Sequence, residues 1–202
     1  RPLRASRQRI GRYPLCERGN RAGHRFLFEI FNLFFISAFQ LILIYLFTLP
    51  VYYFGMYTGP VKGIEILLIS IHAFLLTTET IADLQQLNFY KKRNNEKFKT
   101  DKRMQLGFNT FGLWKYSRHP NYFFEWMIWN ALILASFSSL IYTQETYIFI
   151  GMWISLIYIS FLMYQTLVFL TGAVPSEYYS LIKRPDYKKY KENTNMFFPK
   201  LF

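Results

Sequence analysis

Cysteine, acidic side chains and metal-ligating spacings are all scarce in this 202-residue chain. Cys16 stands alone, which excludes a disulfide framework and a cysteine-based metal site. His24, His72 and His119 fall at neither HxxxH nor HExxH spacing, so a zinc hydrolase centre is not expected. No GxGxxG follows a strand-like run, which argues against a Rossmann domain. No solenoid-length repeat occurs. Asp and Glu number 12 against 24 Lys and Arg, for a net charge of +12. The chain begins at Arg1, without a Met or a signal-peptide pattern.

What fills the chain instead is apolar and aromatic. It is 52% hydrophobic, with 22 Phe and 16 Tyr, too many aromatics for an ordinary soluble core. The apolar residues run in four blocks, at about 26–47, 62–81, 122–142 and 147–171. Each approaches the roughly 20 residues that a helix needs to cross a bilayer. Tyr, Trp or basic residues flank each block, as interfacial anchors do. The second block is the most polar, holding Glu65, His72, Glu79 and several Thr. The expected fold is therefore all-α, a polytopic membrane helical bundle with about four transmembrane helices. The layout is a basic arm (1–25), a helical hairpin (26–90), a loop (91–119), a second hairpin (120–171) and a tail (172–202), within one membrane domain.

The basic residues are segregated. Eight Arg precede Phe26, nine Lys or Arg lie from Lys91 to Arg118, six lie from Lys183 to Lys200, and only Lys62 falls elsewhere. Four crossings put arm, loop and tail on one side, and the positive-inside rule makes that side cytoplasmic. Topology thus accounts for the charge. Nucleic-acid binding would need a soluble basic face with base-reading side chains, and none is evident. The expected setting is a multi-pass protein of the endoplasmic reticulum membrane in a eukaryote, or of the inner membrane in a bacterium.

Three polar clusters sit where the expected helices meet the cytoplasm. In "TTETIADLQQL", Glu79, Asp83 and Gln86 follow i, i+4, i+7 and share one helical face. In "WKYSRHPNYFFEW", Arg118, Asn121 and Glu125 are spaced by three and four. In the tail, Glu177 and Tyr179 follow the last block, with Tyr187 beyond. Each cluster alone has a plain structural explanation, since basic side chains snorkel and carboxylates pair with them. Together they describe a mouth for a polar, phosphate-bearing ligand: Arg and Lys for phosphate, carboxylates for ribose or amide groups, Tyr and Trp for a planar ring. A bound cofactor that carries the reactive atom would also explain why no nucleophile–base pair or metal site is present.

"GLWKYSRHPNYFFEW" resembles the "GLWRYSRHPNYFGEW" signature of the steroid 5α-reductase-like membrane proteins, which are related to the isoprenylcysteine carboxyl methyltransferase-like membrane enzymes. "ETIADLQQLNFYKKR" resembles that family's E-x-x-AD-x-Q segment, and "KRPDYKKYKENTNMFFP" its RRP-x-Y-x-x-Y ending. The three matches occur in order over about the last 130 residues. The resemblance implies a membrane reductase that uses NADPH to reduce a carbon–carbon double bond conjugated to a carbonyl, in a steroid or other lipid. It places cofactor contacts at Asp83, Asn121 and Glu125 and a cofactor tyrosine at Tyr179 or Tyr178, with Asp83 and basic residues of the loop and tail on the adenosine and phosphate parts. Arg118, Tyr122 and Tyr187 are further candidates for the cofactor site. Glu79 stands where characterised reductases have Asn. "YPLCERG" resembles a reductase stretch whose tyrosine hydrogen-bonds the substrate carbonyl, which nominates Tyr13 as the catalytic donor.

Two departures bear on this reading. Phe124 replaces the Gly of the motif, and its ring is expected either to crowd the mouth or, by slight preference, to face lipid. The helices that supply a catalytic Gln–Glu pair in the reductases have no counterpart before Arg1, which implies a chain truncated at its N-terminus or a member unable to complete the reaction. Two alternatives remain open: an S-adenosylmethionine-dependent membrane methyltransferase with the same mouth, and a non-catalytic member of the scaffold. Neither the lipid substrate nor the oligomeric state has a signature here.

Overall fold

A bilayer leaves an apolar chain few options, because every backbone N–H and C=O must be satisfied within it. The computed structural model describes residues 24–56, 59–140 and 146–200, and the long segments among them are helical. Helix α1 runs His24–Gly55 and includes a π-helical stretch, Asn32–Phe39. Helix α2 spans Gly63–Arg93, α3 Pro120–Leu140 and α4 Thr146–Gln165, with a π-helical turn at Thr166–Leu170. Two short helices close the chain, α5 (Ala173–Lys183) and α6 (Tyr187–Asn193). Among the described residues there is no strand, only an isolated bridge between Ser117 and Asn195. The protein is an all-α membrane bundle.

Three helical stretches are long and apolar enough to cross a membrane: His24–Gly55, Gly63–Arg93 and Phe149–Lys183. The fourth expected crossing corresponds to α3, which at 21 residues has the length but is not among those three. It carries Asn121, Glu125 and Asn130, and their polarity offsets its apolar residues. Helix α2 outruns the expected block, continuing past Ile81 to Arg93 because no breaker intervenes before Asn94. Its last turn, Lys91, Lys92 and Arg93, suits the negative end of the helix dipole. The described residues up to Leu46 belong to one compact unit, and those from Phe47 onward to a second.

In the second unit α3 is the central helix. Toward α2 it packs Ile128 and Ala131 on Leu75, with Phe124 and Met127 against that cluster. Phe124 is therefore in the α2–α3 interface, and the expectation that its ring faces lipid is wrong. The apolar groove beside Leu75 is the closer place to bury it. Toward α4, Ile133 and Phe137 pack on Leu156 and Ile159, and Phe137 stacks on Trp153 at 3.7 Å between ring centres. Polar bonds fix the same interface: Trp126 Nε1 donates to the Ser160 carbonyl at 3.1 Å, and Ser160 Oγ to Asn130 Oδ1 at 2.7 Å.

Between α2 and α3 the polar loop is tied down onto α2 by one bond to a backbone carbonyl and one to a side chain. Trp114 Nε1 donates to the Ala82 carbonyl at 3.0 Å, and the Leu113 amide to Gln85 Oε1 at 2.9 Å. Gly112 makes the second bond possible. Its φ is +62°, a region that favours glycine, and a Cβ there would lie 2.3 Å from Gln85 Oε1. Gly112→Ala should lower stability by about 1–3 kcal/mol. Thermal unfolding in detergent checks this, and an unchanged midpoint would show that the loop absorbs the side chain.

Candidate functional site

The string Ser117-Arg118-His119-Pro120 starts α3. Pro120 is the first helical residue, where its fixed φ suits the helix and its missing N–H leaves no bond unmade. The three residues before it are buried. Ser117 Oγ donates to the Phe197 carbonyl at 2.9 Å, and the Arg118 amide to the Asn195 carbonyl at 2.9 Å. The Arg118 guanidinium grips Glu177 of α5 with two bonds, Nε to Oε1 at 2.6 Å and Nη2 to Oε2 at 3.1 Å. Its Nη1 donates to the Lys191 carbonyl at 2.7 Å and also to that of Thr194. His119 Nε2 lies 3.2 Å from Glu177 Oε1, and its ring stacks on Tyr122. Ionised groups withdrawn from water in this way are tolerable only when paired and fully hydrogen-bonded.

That clamp seats the tail. Phe197 is buried against Phe123, Trp126 and Tyr164. Tyr187 and Tyr190 both pack on Phe108, with ring centres 5.1 and 5.3 Å away, and the Tyr190 hydroxyl donates to the Trp114 carbonyl. Burial raises both phenols well above their ordinary range, with the nearby Glu177 charge acting in the same direction on each. They are neutral hydrogen-bonding groups.

Between tail, loop and the ends of α2 and α3 lies a cleft of about 230 Å³. Gln86 and Tyr90 line it from α2, Asn121 and Tyr122 from α3, and Ser176, Ser180, Arg184 and Tyr187 from the chain after α4. Two oxygens here, Gln86 Oε1 and Asn121 Oδ1, are buried and have no hydrogen-bond partner. Further along the α2–α3 interface, Glu79 comes within electrostatic reach of Asp83 and Glu125. Trp129 Nε1 holds Glu125 Oε1 at 2.8 Å. Among the described residues no group of His, Cys, Asp and Glu could hold a metal ion. A second cleft of about 360 Å³ lies under the loop, lined by Gln85, Asn88, Lys92, Arg103 and Phe111, and it shares Asn109 with the first.

The family described as "Protein of unknown function (DUF1295)" matches residues 18–194. This chain belongs to the DUF1295 family. Through it the chain falls within the steroid 5α-reductase-like superfamily. An uncharacterized protein of Schizosaccharomyces pombe is 30% identical over 193 residues, which cover 88% of this chain and 52% of the relative. The chain thus spans about half the length of the curated relative it matches. No solved structure matches it.

In this DUF1295 protein the two expected faces do meet: Glu79 and Asp83 of α2 lie against Tyr122 and Glu125 of α3, and Gln86 joins Asn121 and Tyr122 in the cleft. Tyr187 lines the cleft too. Tyr179 does not: it is 61% exposed, and its neighbours on α5, Ser176 and Ser180, line the cleft in its place. Arg118 borders the cleft, but Glu177 and the tail carbonyls engage its guanidinium. Among the described residues the cleft cation without a carboxylate partner is Arg184, which sequence reasoning did not single out from the basic residues of the tail. Tyr13 lies outside the described residues.

The clamp yields a stability prediction. Arg118→Met or Glu177→Leu alone should cost about 3–5 kcal/mol, because each strands a buried charge. The double variant should recover much of that loss. Thermal unfolding of the four proteins in detergent checks it, and additive losses would mean that the two charges are uncoupled.

Proposed function

We propose that this DUF1295 protein is a membrane reductase that uses NADPH to reduce a carbon–carbon double bond conjugated to a carbonyl in a steroid or other lipid. The observation that carries the reading is the pair of unpartnered oxygens, on Gln86 and Asn121, in a cleft that also holds Tyr122 and Arg184. A buried acceptor without a donor is costly, so these oxygens call for a ligand with N–H or O–H groups. A nicotinamide carboxamide and a ribose carry such groups, so the residues present fit this cofactor. Bound, it would supply a hydride.

The chain's own residues have separable parts in this reading. Asn121 and Gln86 accept from the carboxamide and the ribose. Tyr122, stacked on His119, offers a flat wall to the ring. Trp129 keeps the Glu125 carboxylate in one orientation. Tyr13 is the proposed donor that polarises the substrate carbonyl as negative charge develops on its oxygen. Phe124 counts less against a cofactor than its bulk implies, because it is half-buried against the α2–α3 cluster and does not line the cleft. The arm, loop and tail face the cytoplasm in this reading, which puts the cleft within reach of a soluble cofactor.

The purified protein in detergent should bind NADPH, followed by nicotinamide fluorescence, and Asn121→Leu should weaken binding roughly tenfold. Binding of S-adenosylmethionine in place of NADPH would favour the methyltransferase. Binding of neither would favour a non-catalytic scaffold.

A further inference from the structure

Proline restricts the residue before it to extended backbone. Pro185 does this to Arg184, which ends α5 at φ −142° and ψ 97°. The side chain is carried out of the helix and along Gly107, where a Cβ would lie 3.2 Å from Arg184 Nε. Gly107, at φ +78°, is thus required both by its own backbone and by the arginine beside it. The Arg184 guanidinium lines the cleft with a single long bond, 3.4 Å from Nη1 to Ser180 Oγ. No carboxylate lies within 4.0 Å of it among the described residues, in contrast to Arg118, whose donors are engaged.

The cleft is therefore polarised. On the α2 and α3 side are acceptors, Gln86 Oε1 and Asn121 Oδ1, that lack donors. On the α5 side are donors, the Arg184 fork and the Ser180 hydroxyl, while the Ser176 hydroxyl beside them donates to the Ala173 carbonyl. A ligand that satisfies both walls has N–H or O–H groups at one end and an anion with several oxygens at the other. A forked guanidinium beside a hydroxyl suits phosphate oxygens. We propose that Arg184 is the anion-binding residue of this cleft and takes the diphosphate of a nucleotide. Arg118 next to it is a positioning residue that holds the tail in place. The cleft has room for a ring and a sugar rather than a whole dinucleotide, and the second cleft beyond Asn109 is open to the remainder. This deepens the NADPH reading and rests on it for the identity of the nucleotide, but the anion site can be tested without the nicotinamide.

Inorganic pyrophosphate is the probe. It should raise the melting temperature of the wild-type protein in detergent, and Arg184→Gln should weaken its binding about tenfold. On the wild-type protein, pyrophosphate should also protect Arg184 from modification by butane-2,3-dione, mapped by peptide mass spectrometry, a measurement that does not depend on the variant folding. Equal binding by both proteins, absent protection, or no pyrophosphate binding by the wild type would each overturn the proposal. So would protection of Arg184 by short-chain phosphatidic acid but not by ADP, which would assign the site to a lipid headgroup. If pyrophosphate binding depends on Arg184 and NADPH does not compete, the anion site stands and the reductase reading falls.

Discussion

One buried ion pair sets the terms for the end of this molecule that carries the cleft. Arg118 and Glu177 are almost wholly withdrawn from solvent, and each is acceptable there only because the other is present. Two carbonyls from the end of the chain complete the guanidinium's coordination, so the tail must be ordered for the pair to exist. The dependence also runs the other way. Tyr187 and Tyr190 reach Phe108, and Phe197 reaches Trp126, because the backbone around Thr194 and Asn195 is anchored to Ser117 and Arg118. One wall of the cleft is thus built on an electrostatic requirement.

The membrane character and the helical blocks were legible in the sequence because a bilayer imposes length and apolarity on whatever crosses it. The meeting of Glu79, Asp83 and Gln86 with Asn121 and Glu125 was legible too, since helical spacing alone places each set on one face. The role of Arg118 was not. Its carboxylate lies 59 positions away, and local spacing does not reveal whether a guanidinium will be satisfied by the protein or by a ligand. Arg184 was hidden for the converse reason: in a run of basic residues, only tertiary structure shows which cation lacks a partner. Tyr179 and Phe124 went astray by rotation. Phe124 belongs to an expected helix, whereas Tyr179 sits on α5, which the sequence reading left inside the tail. Which way either side chain turns is decided by the neighbouring helix that offers it a groove or leaves it exposed.

The cleft keeps opposite chemical tendencies apart over a short distance. Carboxylates gather deeper along α2 and α3, unpartnered amide oxygens line one wall, and a guanidinium with two serine hydroxyls lines the other. Hydrogen bonds such as Trp129 to Glu125 and Tyr190 to Trp114 hold the surrounding framework together. Such a gradient favours one orientation of an asymmetric ligand over its reverse.

The seating of the tail has a consequence for how the protein is made. Helices α2 and α3 can insert and pair as soon as they leave the ribosome, but Arg118 must wait for Glu177, and Ser117 for Phe197. Until those residues emerge, a guanidinium and an imidazole stand at the membrane surface without their carboxylate. Biogenesis therefore has a checkpoint: the helices pair first, and the pocket closes only once the segment carrying Glu177 and Phe197 has been translated. A quality-control system that senses unpaired charge near the bilayer could read that interval, and a chain stalled before α5 would present inserted helices with an unfinished polar face.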